Sequence, residues 1–425
     1  MTTMLTGILA LAITAVLVEM ARRLAPVVGL VDSPNERKTH VGDIPLIGGI
    51  AIFCGLVIVM ASYDLLEQHW PFLVSACLLV AVGIWDDVKG ISPLPRLGFQ
   101  AVAILIIATS GNAYISDLGN IIPAVGRIEL GWMAIPFTVF AGVGVINAFN
   151  MSDGVDGLCG TLTLVALAGM GVVAATAGMQ DELLLILALT GGLVGFLIFN
   201  VRLPGRKQAK AFLGDAGSYL LGFSVLYLAI RLSQGENRAM APVTALWFCM
   251  LPLIDTIGMI LRRIRRGRSP FKPDREHIHH VFLLAKFSVT STWIGLAVVA
   301  TVGMLFGLSG ALGGISQSVM LAAFLVVAVL YYVMIMRAWK VMRFLSRSIN
   351  RRTGAKVDRR LVTDRRQTRE IYYIDGIPVE RRSGLDRRQE ATDRRNESDE
   401  LSANVEILAR KPAAERPGKT AARLS

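Results

Sequence analysis

Residues 131–178 read GWMAIPFTVFAGVGVINAFNMSDGVDGLCGTLTLVALAGMGVVAATAG. Two stretches of it, 131–149 and 158–178, carry no charged residue, and each is long enough to cross a hydrocarbon core of ~30 Å as an α-helix. Between them stand Asp153 and Asp156, set among glycines. Hydrocarbon offers no water to an open backbone, so runs of this kind must cross as helices. A carboxylate at the edge of such a run is costly to hold and marks a site.

The same kind of run recurs along the chain, which has 425 residues, 53% of them hydrophobic, and a mean hydropathy of +0.54. Eleven spans are predicted, at 3–20, 46–63, 70–85, 98–111, 131–149, 158–178, 182–200, 211–230, 241–261, 290–309 and 316–336. The fold class is therefore an all-α polytopic membrane protein. The 98–111 run is short and needs tilt or a thinned bilayer. The first run has no A-x-A-like cleavage site following it and ends at Glu19, Arg22 and Arg23, so it reads as a retained helix. Lysine and arginine set the orientation. With the N-terminus outside, the inward loops hold 18 of them, against Arg127, Arg231 and Arg238 outside, and the C-terminus is cytoplasmic. The four cysteines, Cys54, Cys77, Cys159 and Cys249, lie in or beside separate spans, read as small buried hydrophobes, and imply no disulfide framework.

A transmembrane domain over 1–337 gives way to an Arg-rich tail over 338–425. From Arg337 onward, 23 Lys and Arg face 13 Asp and Glu, so +10 of the net +12 resides there. The unit Asp/Glu-Arg-Arg repeats at 358, 364, 380, 386 and 393. Such a composition reads as solvated and largely disordered, with one short hairpin expected at 371–379 (IYYIDGIPV). A partner that suits it is anionic membrane lipid, to which each basic residue near the surface contributes about 1 kcal/mol. Nucleic acid is not expected, because interleaved aromatics and a recognisable binding module are missing.

The polar residues beside the spans fall on one face. Asp86 and Asp87 end the third span, Asp153 and Asp156 follow the fifth, Asp215 opens the eighth, and His277, His279 and His280 lie in the loop after the ninth. Asn147, Asn150, Asp153 and Asp156 recur every third residue, which on a continuous helix rotates by about 60° per step and separates them. Gly154 and Gly157, with Ser152 and Asp153 as cap formers, predict instead that the helix breaks and gathers these groups. In 212–218 (FLGDAGS) an acid stands between glycines at a helix start, where backbone can approach an anion and the helix end favours negative charge. A carboxylate in that setting suits Mg²⁺ shared with phosphate, since Mg²⁺ takes one or two protein oxygens plus substrate. The histidines, beside Lys272 and Arg275, read better as phosphate contacts than as zinc ligands, having no cysteine near them. Lys38 and His40 add donors on the same face. Arg96 and Gln100 read equally as a snorkelling residue with a polar helix face or as part of the site.

Taken together, NAFNMSDGVDGL at 147–158, AFLGDAGS at 211–218, Asp86-Asp87 and SPFKPDREHIHH at 269–280 resemble the polyprenyl-phosphate N-acetylhexosamine-1-phosphate transferases. Among these, the histidine segment, 242–252 (PVTALWFCMLP) and 337–344 (RAWKVMRF) are similar to the GlcNAc-type enzymes that start bacterial surface polysaccharides such as O-antigen and enterobacterial common antigen. The resemblance covers about 15–345 and leaves the tail without a counterpart. It implies transfer of GlcNAc-1-phosphate from UDP-GlcNAc to undecaprenyl phosphate at the inner membrane. It further implies Mg²⁺, replaceable by Mn²⁺, on Asp215 with help from Asn150. Phe212 would stack on uracil, Asn147, Asp153 and Asp156 would line the nucleotide pocket, Asp86 and Asp87 would lie near the lipid phosphate, and Asp86, Asp87, Asp153 and Asp156 would form the catalytic set. His277, His279 and His280, with Arg265 upstream, would hold the diphosphate and sugar end. The Val88-Lys89-Gly90 that follows Asp86-Asp87 departs from the family pattern, which has a polar residue first. Another UDP-N-acetylhexosamine (GalNAc, QuiNAc or FucNAc) is the rival donor. A cation-coupled transporter is the rival class, disfavoured because the acids sit at span ends. A homodimer is compatible with the sequence.

Overall fold

The computed structural model describes residues 2–33, 42–202, 205–206, 208–267, 269, 277–337, 372–374 and 377–379. The chain divides into two units, Met1–Ile349 and Asn350–Ser425.

In the first unit, α1 (Thr2–Leu24), α2 (Gly48–Ser62), α3 (Trp70–Lys89), α4 (Pro93–Ser110), α5 (Ala134–Met151), α6 (Leu158–Ala177) and α7 (Gln180–Asn200) follow in order. Then come α8 (Gly214–Ser233), α9 (Pro242–Phe248), α10 (Met250–Arg265), α11 (Ile278–Leu284), α12 (Val289–Gly313) and α13 (Gln317–Met336). Among the described residues nine helices are long and apolar enough to cross a membrane, α2 is a shorter apolar helix, and α9 and α10 form a pair bent by 83°. Nine of the eleven predicted spans thus appear as full-length helices, the run at 46–63 gives only the 15-residue α2, and the runs at 98–111 and 241–261 change shape. The run expected at 98–111 begins at Pro93, whose fixed φ suits a first helical turn, so α4 has 18 residues and needs no thinned bilayer. The run at 241–261 is not straight, because the chain breaks at Cys249.

The axis of the bundle is α8, in which every residue except Asp215 and Arg231 is buried. Without a hydrophobic drive between helices in lipid, small residues decide how near backbones come. A Cβ on Gly49 would lie 2.2 Å from the Gly217 nitrogen, and one on Gly83 would lie 2.3 Å from Ala216 Cα. These two glycines therefore let α2 and α3 rest on the first turn of α8. The strand pair β1 (Val31–Asp32) and β2 (Ile44–Pro45) extends the contact. The Phe212 N–H donates to the Pro45 carbonyl at 2.8 Å, and the Gly48 and Gly49 N–H groups donate to the carbonyls of Phe212 and Leu213, each at 3.0 Å. The entries to α2 and α8 are thereby joined.

All four cysteines are free. Cys159 and Cys249 are buried as expected, whereas Cys54 and Cys77 are exposed on the outer surface of α2 and α3, where lipid is as apolar as a core.

At the opposite end of the bundle, Asp117 in the α4–α5 loop accepts from Arg127 (2.7 Å), Arg238 (3.2 Å) and the Gly119 N–H (2.8 Å). Burial opposes the charge, but these donors hold the carboxyl below the usual range.

In the second unit, β3 (Tyr372–Ile374) and β4 (Ile377–Val379) pair antiparallel with Ile374 opposite Ile377. This is the hairpin predicted at 371–379.

Candidate active site

The last turn of α3 delivers two carboxylates to different partners. Asp86 accepts from the Tyr219 hydroxyl at 2.7 Å, from Arg96 at 3.1 Å and from the Ile91 N–H at 2.7 Å. Asp87 accepts from the backbone N–H groups of Asp215 at 2.9 Å and Ala216 at 3.3 Å. The first N–H groups of a helix have no partner within it and attract an anion. Here α3 supplies that anion, so the α8 N-terminus, expected to face substrate phosphate, is already capped by Asp87. Gly214 makes the fit possible: its φ is +74°, and a Cβ there would lie 2.6 Å from an Asp87 oxygen.

One residue on, Asp215 accepts from Asn150 Nδ2 at 2.6 Å, and the same amide group donates to Ser218 Oγ at 2.9 Å. Asn150 lies in the last turn of α5, after which the helix stops at Met151 and residues 152–157 turn, as the glycines predict. Gly157 adopts φ +80° just before α6. The turn is pinned by Asn200, whose Oδ1 accepts from the Gly157 N–H at 2.7 Å while its Nδ2 donates to the Ala211 carbonyl at 2.9 Å. The sequence gives no hint of this role, since Asn200 reads as the end of a span. Asp156 pairs with Arg202 at 2.6 Å, and Asn147 donates to Gln100 at 2.6 Å. Arg96 and Gln100 are thus bonded to Asp86 and Asn147 respectively.

Asp153 is solvent-exposed in a turn crowded by the neighbouring helix ends. That crowding, with the charges of Asp215, Asp87 and Asp156, raises its carboxyl well above the usual range. Four acids from three helix ends thus act on one another.

The histidine segment reaches the same place. A Cβ on Gly154 would lie 2.1 Å from His279 Nε2, so the ring rests on the turn between Asp153 and Asp156. The rings of His277 and His279 stack with centroids 5.6 Å apart, and His280 lies 4.3 Å from His279. Burial, then the neighbouring His280 and His277, pushes His279 down to about 3. At neutral pH its ring is uncharged, and its buried Nε2 has no hydrogen-bond partner among the described residues. His277 pairs with Asp255 at 2.9 Å. Sequence reading passed over Asp255, although a lone acid inside an apolar span is itself a signal. Phe212 is half-buried beside the α8 entry, and Arg265 is exposed at the end of α10. Lys38, His40, Lys272 and Arg275 lie outside the described residues.

Residues 69–233, from the start of α3 to the end of α8, match Glycosyl transferase family 4. Over 339 residues the chain is 38% identical to the undecaprenyl-phosphate alpha-N-acetylglucosaminyl 1-phosphate transferase of Escherichia coli O157:H7, covering 79% of this chain and 91% of that one. The enzymes of the same name from Yersinia pestis and Haemophilus influenzae are 39% and 37% identical, each over 77% of this chain and 90% and 92% of theirs. The chain belongs to this transferase family. The family match encloses every aspartate expected to act, whereas the histidine segment lies beyond it and is reached only by the longer similarity.

For a transferase of this family the donor set bears on the expected Mg²⁺. Among the described residues no three acids, histidines or cysteines converge as a metal cage. Hard oxygens are nevertheless concentrated at Asp215, Asn150 and Asp153, and the repulsion among the acids, which adds to desolvation in raising Asp153, is what a cation relieves. This fits an ion that takes one or two protein oxygens and completes its shell with water and substrate phosphate.

Proposed function

We propose that the chain transfers GlcNAc-1-phosphate from UDP-GlcNAc to undecaprenyl phosphate, releasing UMP and forming undecaprenyl-diphospho-GlcNAc. The observation that carries this reading is the gathering of Asp86–Asp87, Asn150–Asp215, the Asp153–Asp156 turn and His279 at one end of the bundle. A lipid phosphate oxygen attacks the β-phosphorus of the donor, the bond to the bridging oxygen breaks, and that oxygen leaves with UMP. A phosphate monoester carries about −1.5 to −2 charge at pH 7, so the nucleophile needs no strong base. It needs relief of anion repulsion and in-line placement.

Mg²⁺ on Asp215 with Asn150 would supply charge neutralisation and Lewis acidity at the diphosphate. Asp87 holds the first turn of α8, and so Asp215, in place. Asp86 orients Arg96 toward the acceptor end, and Asp153 and Asp156 line the donor pocket with Asn147 and Phe212. His277, His279 and His280 attend the diphosphate and sugar. The 18-to-3 charge asymmetry supports a site on the cytoplasmic face of the inner membrane, with the basic tail on the same leaflet among anionic lipids.

The test is a membrane assay with undecaprenyl phosphate and, in turn, radiolabelled UDP-GlcNAc, UDP-GalNAc, UDP-QuiNAc and UDP-FucNAc, with and without chelator. UMP and lipid product with UDP-GlcNAc, lost on chelation, are expected. Product from one of the other sugars alone would reassign the donor, and flux without UMP would reject the enzyme.

A further inference from the structure

We infer that Asp255 is a positioning residue which, with Tyr331, sets the ring of His277 in the donor end of the site. The inference rests on the transferase reading above and adds two residues from α10 and α13 to it.

Asp255 stands in the first half of α10 and is 5% exposed; Tyr331 and His277 are 7% and 6% exposed. A carboxylate so buried is costly unless donors surround it. All three of its partners are protein groups. Oδ2 accepts from His277 Nδ1 at 2.9 Å, while Oδ1 accepts from the Ile278 N–H at 3.2 Å and from the Tyr331 hydroxyl. Both oxygens are thus engaged within the chain, which argues against a direct part in the reaction. Two of the partners belong to adjacent residues of the histidine segment, so the acid fixes that segment's backbone and ring together. Tyr331 reaches in across Gly258, where a Cβ would lie 3.2 Å from the phenol ring.

The consequence for His277 is chemical as well as steric. With a carboxylate accepting at Nδ1, the proton there is fixed and Nε2 becomes the variable nitrogen. The ring also stacks in parallel on His279, which rests on Gly154 between the two donor-pocket aspartates. An unbroken series of contacts therefore runs from Asp255 to the Asp153–Asp156 turn. Loss of the acid should disturb donor use and leave lipid use alone.

The experiment is a double-mutant cycle on the purified full-length protein in detergent, with UDP-GlcNAc and undecaprenyl phosphate as substrates. Asp255→Asn is expected to lower kcat/KM for UDP-GlcNAc by about 10- to 100-fold, as loss of an orienting partner does elsewhere. The KM for the lipid should change by less than about twofold. His277→Asn should cause a loss of its own, and the double variant should be no worse than His277→Asn, because groups acting as a unit are not additive. Losses that multiply in the double variant, or unaltered turnover by Asp255→Asn, would overturn the inference. Should Asp255→Asn fail to fold, the cycle of Tyr331→Phe with His277→Asn decides in the same way, with a smaller expected loss that vanishes in the His277→Asn background. A wild-type protein that releases no UMP would reject the transferase reading instead. The pairing is then read from ¹⁵N-histidine spectra, in which the Nδ1–H signal of His277 should be present in the wild type and altered in Asp255→Asn.

Discussion

Asp215 and Asp87 meet within one turn of backbone, yet their removal should have different effects. Asp215→Asn keeps the shape and the contact with Asn150 and removes a charge. It should abolish UMP release by at least about 100-fold while the protein inserts and elutes as before, because neutralisation of transferring phosphates is the main catalytic demand. Asp87→Ala deletes the cap on the Asp215 and Ala216 N–H groups. It should lower stability by about 1–2 kcal/mol, seen as a fall in Tm in detergent, because those donors lose their acceptor. Asp156→Asn and Arg202→Gln break the same 2.6 Å pair and should both raise the KM for UDP-GlcNAc without affecting lipid use. Equal nucleotide binding by both variants and the wild type would reject the donor-pocket role of that pair. The acids themselves were legible in the sequence because a carboxylate beside hydrocarbon is conspicuous. Not all of their partners were: Tyr219, which donates to Asp86, looks like an ordinary span residue.

Among the elements, α11 and the 152–157 turn depend on each other through His279. The ring is buried, and its ordinary value near 6.5 falls to about 3 in the folded protein. The sign follows from proton binding: below about 6.5 the unfolded chain takes up a proton that the folded protein refuses. Stability is therefore complete above that pH and declines as the pH falls toward 3. At pH 5.5 the cost is on the order of 1 kcal/mol. His279→Gln removes the titration, so its Tm should fall less than the wild-type Tm between pH 7.5 and 5.5. Identical falls would show that the ring is not held neutral. The break in 152–157 was predicted from Gly154 and Gly157, because glycine disfavours a helix on purely local grounds. The 83° bend between α9 and α10 was not predicted, although Pro252 marks it: the residue has no N–H for the Phe248 carbonyl four positions back, and its ring crowds that carbonyl.

On the scale of the molecule, all the candidate groups lie in the first unit, and the Arg-rich repeats lie in the second. The family similarity likewise covers 79% of the chain. Truncation after Phe344 should accordingly leave substantial transferase activity in detergent, measured as UMP release per mole of inserted protein. Total loss of turnover in a stably inserted truncation would assign the tail a catalytic part. Binding of the full chain to vesicles rich in anionic lipid, compared with the truncated one, reports the tail's own contribution.

The amino-acid order alone determined that this chain spans a membrane, where its helices run, and which end carries the acids. Those properties are local: transfer of about 20 residues into hydrocarbon depends on what the residues are and hardly on what they touch. Hydrogen bonding in the site is not local. Asp87 caps a helix that begins more than a hundred residues later, being separated by 128 residues from Asp215, and Asp255 and Tyr331 are 76 apart. Which carboxylate holds backbone, which holds a histidine and which stays open was decided only by tertiary packing, because a buried charge takes whatever donors the neighbouring helices bring.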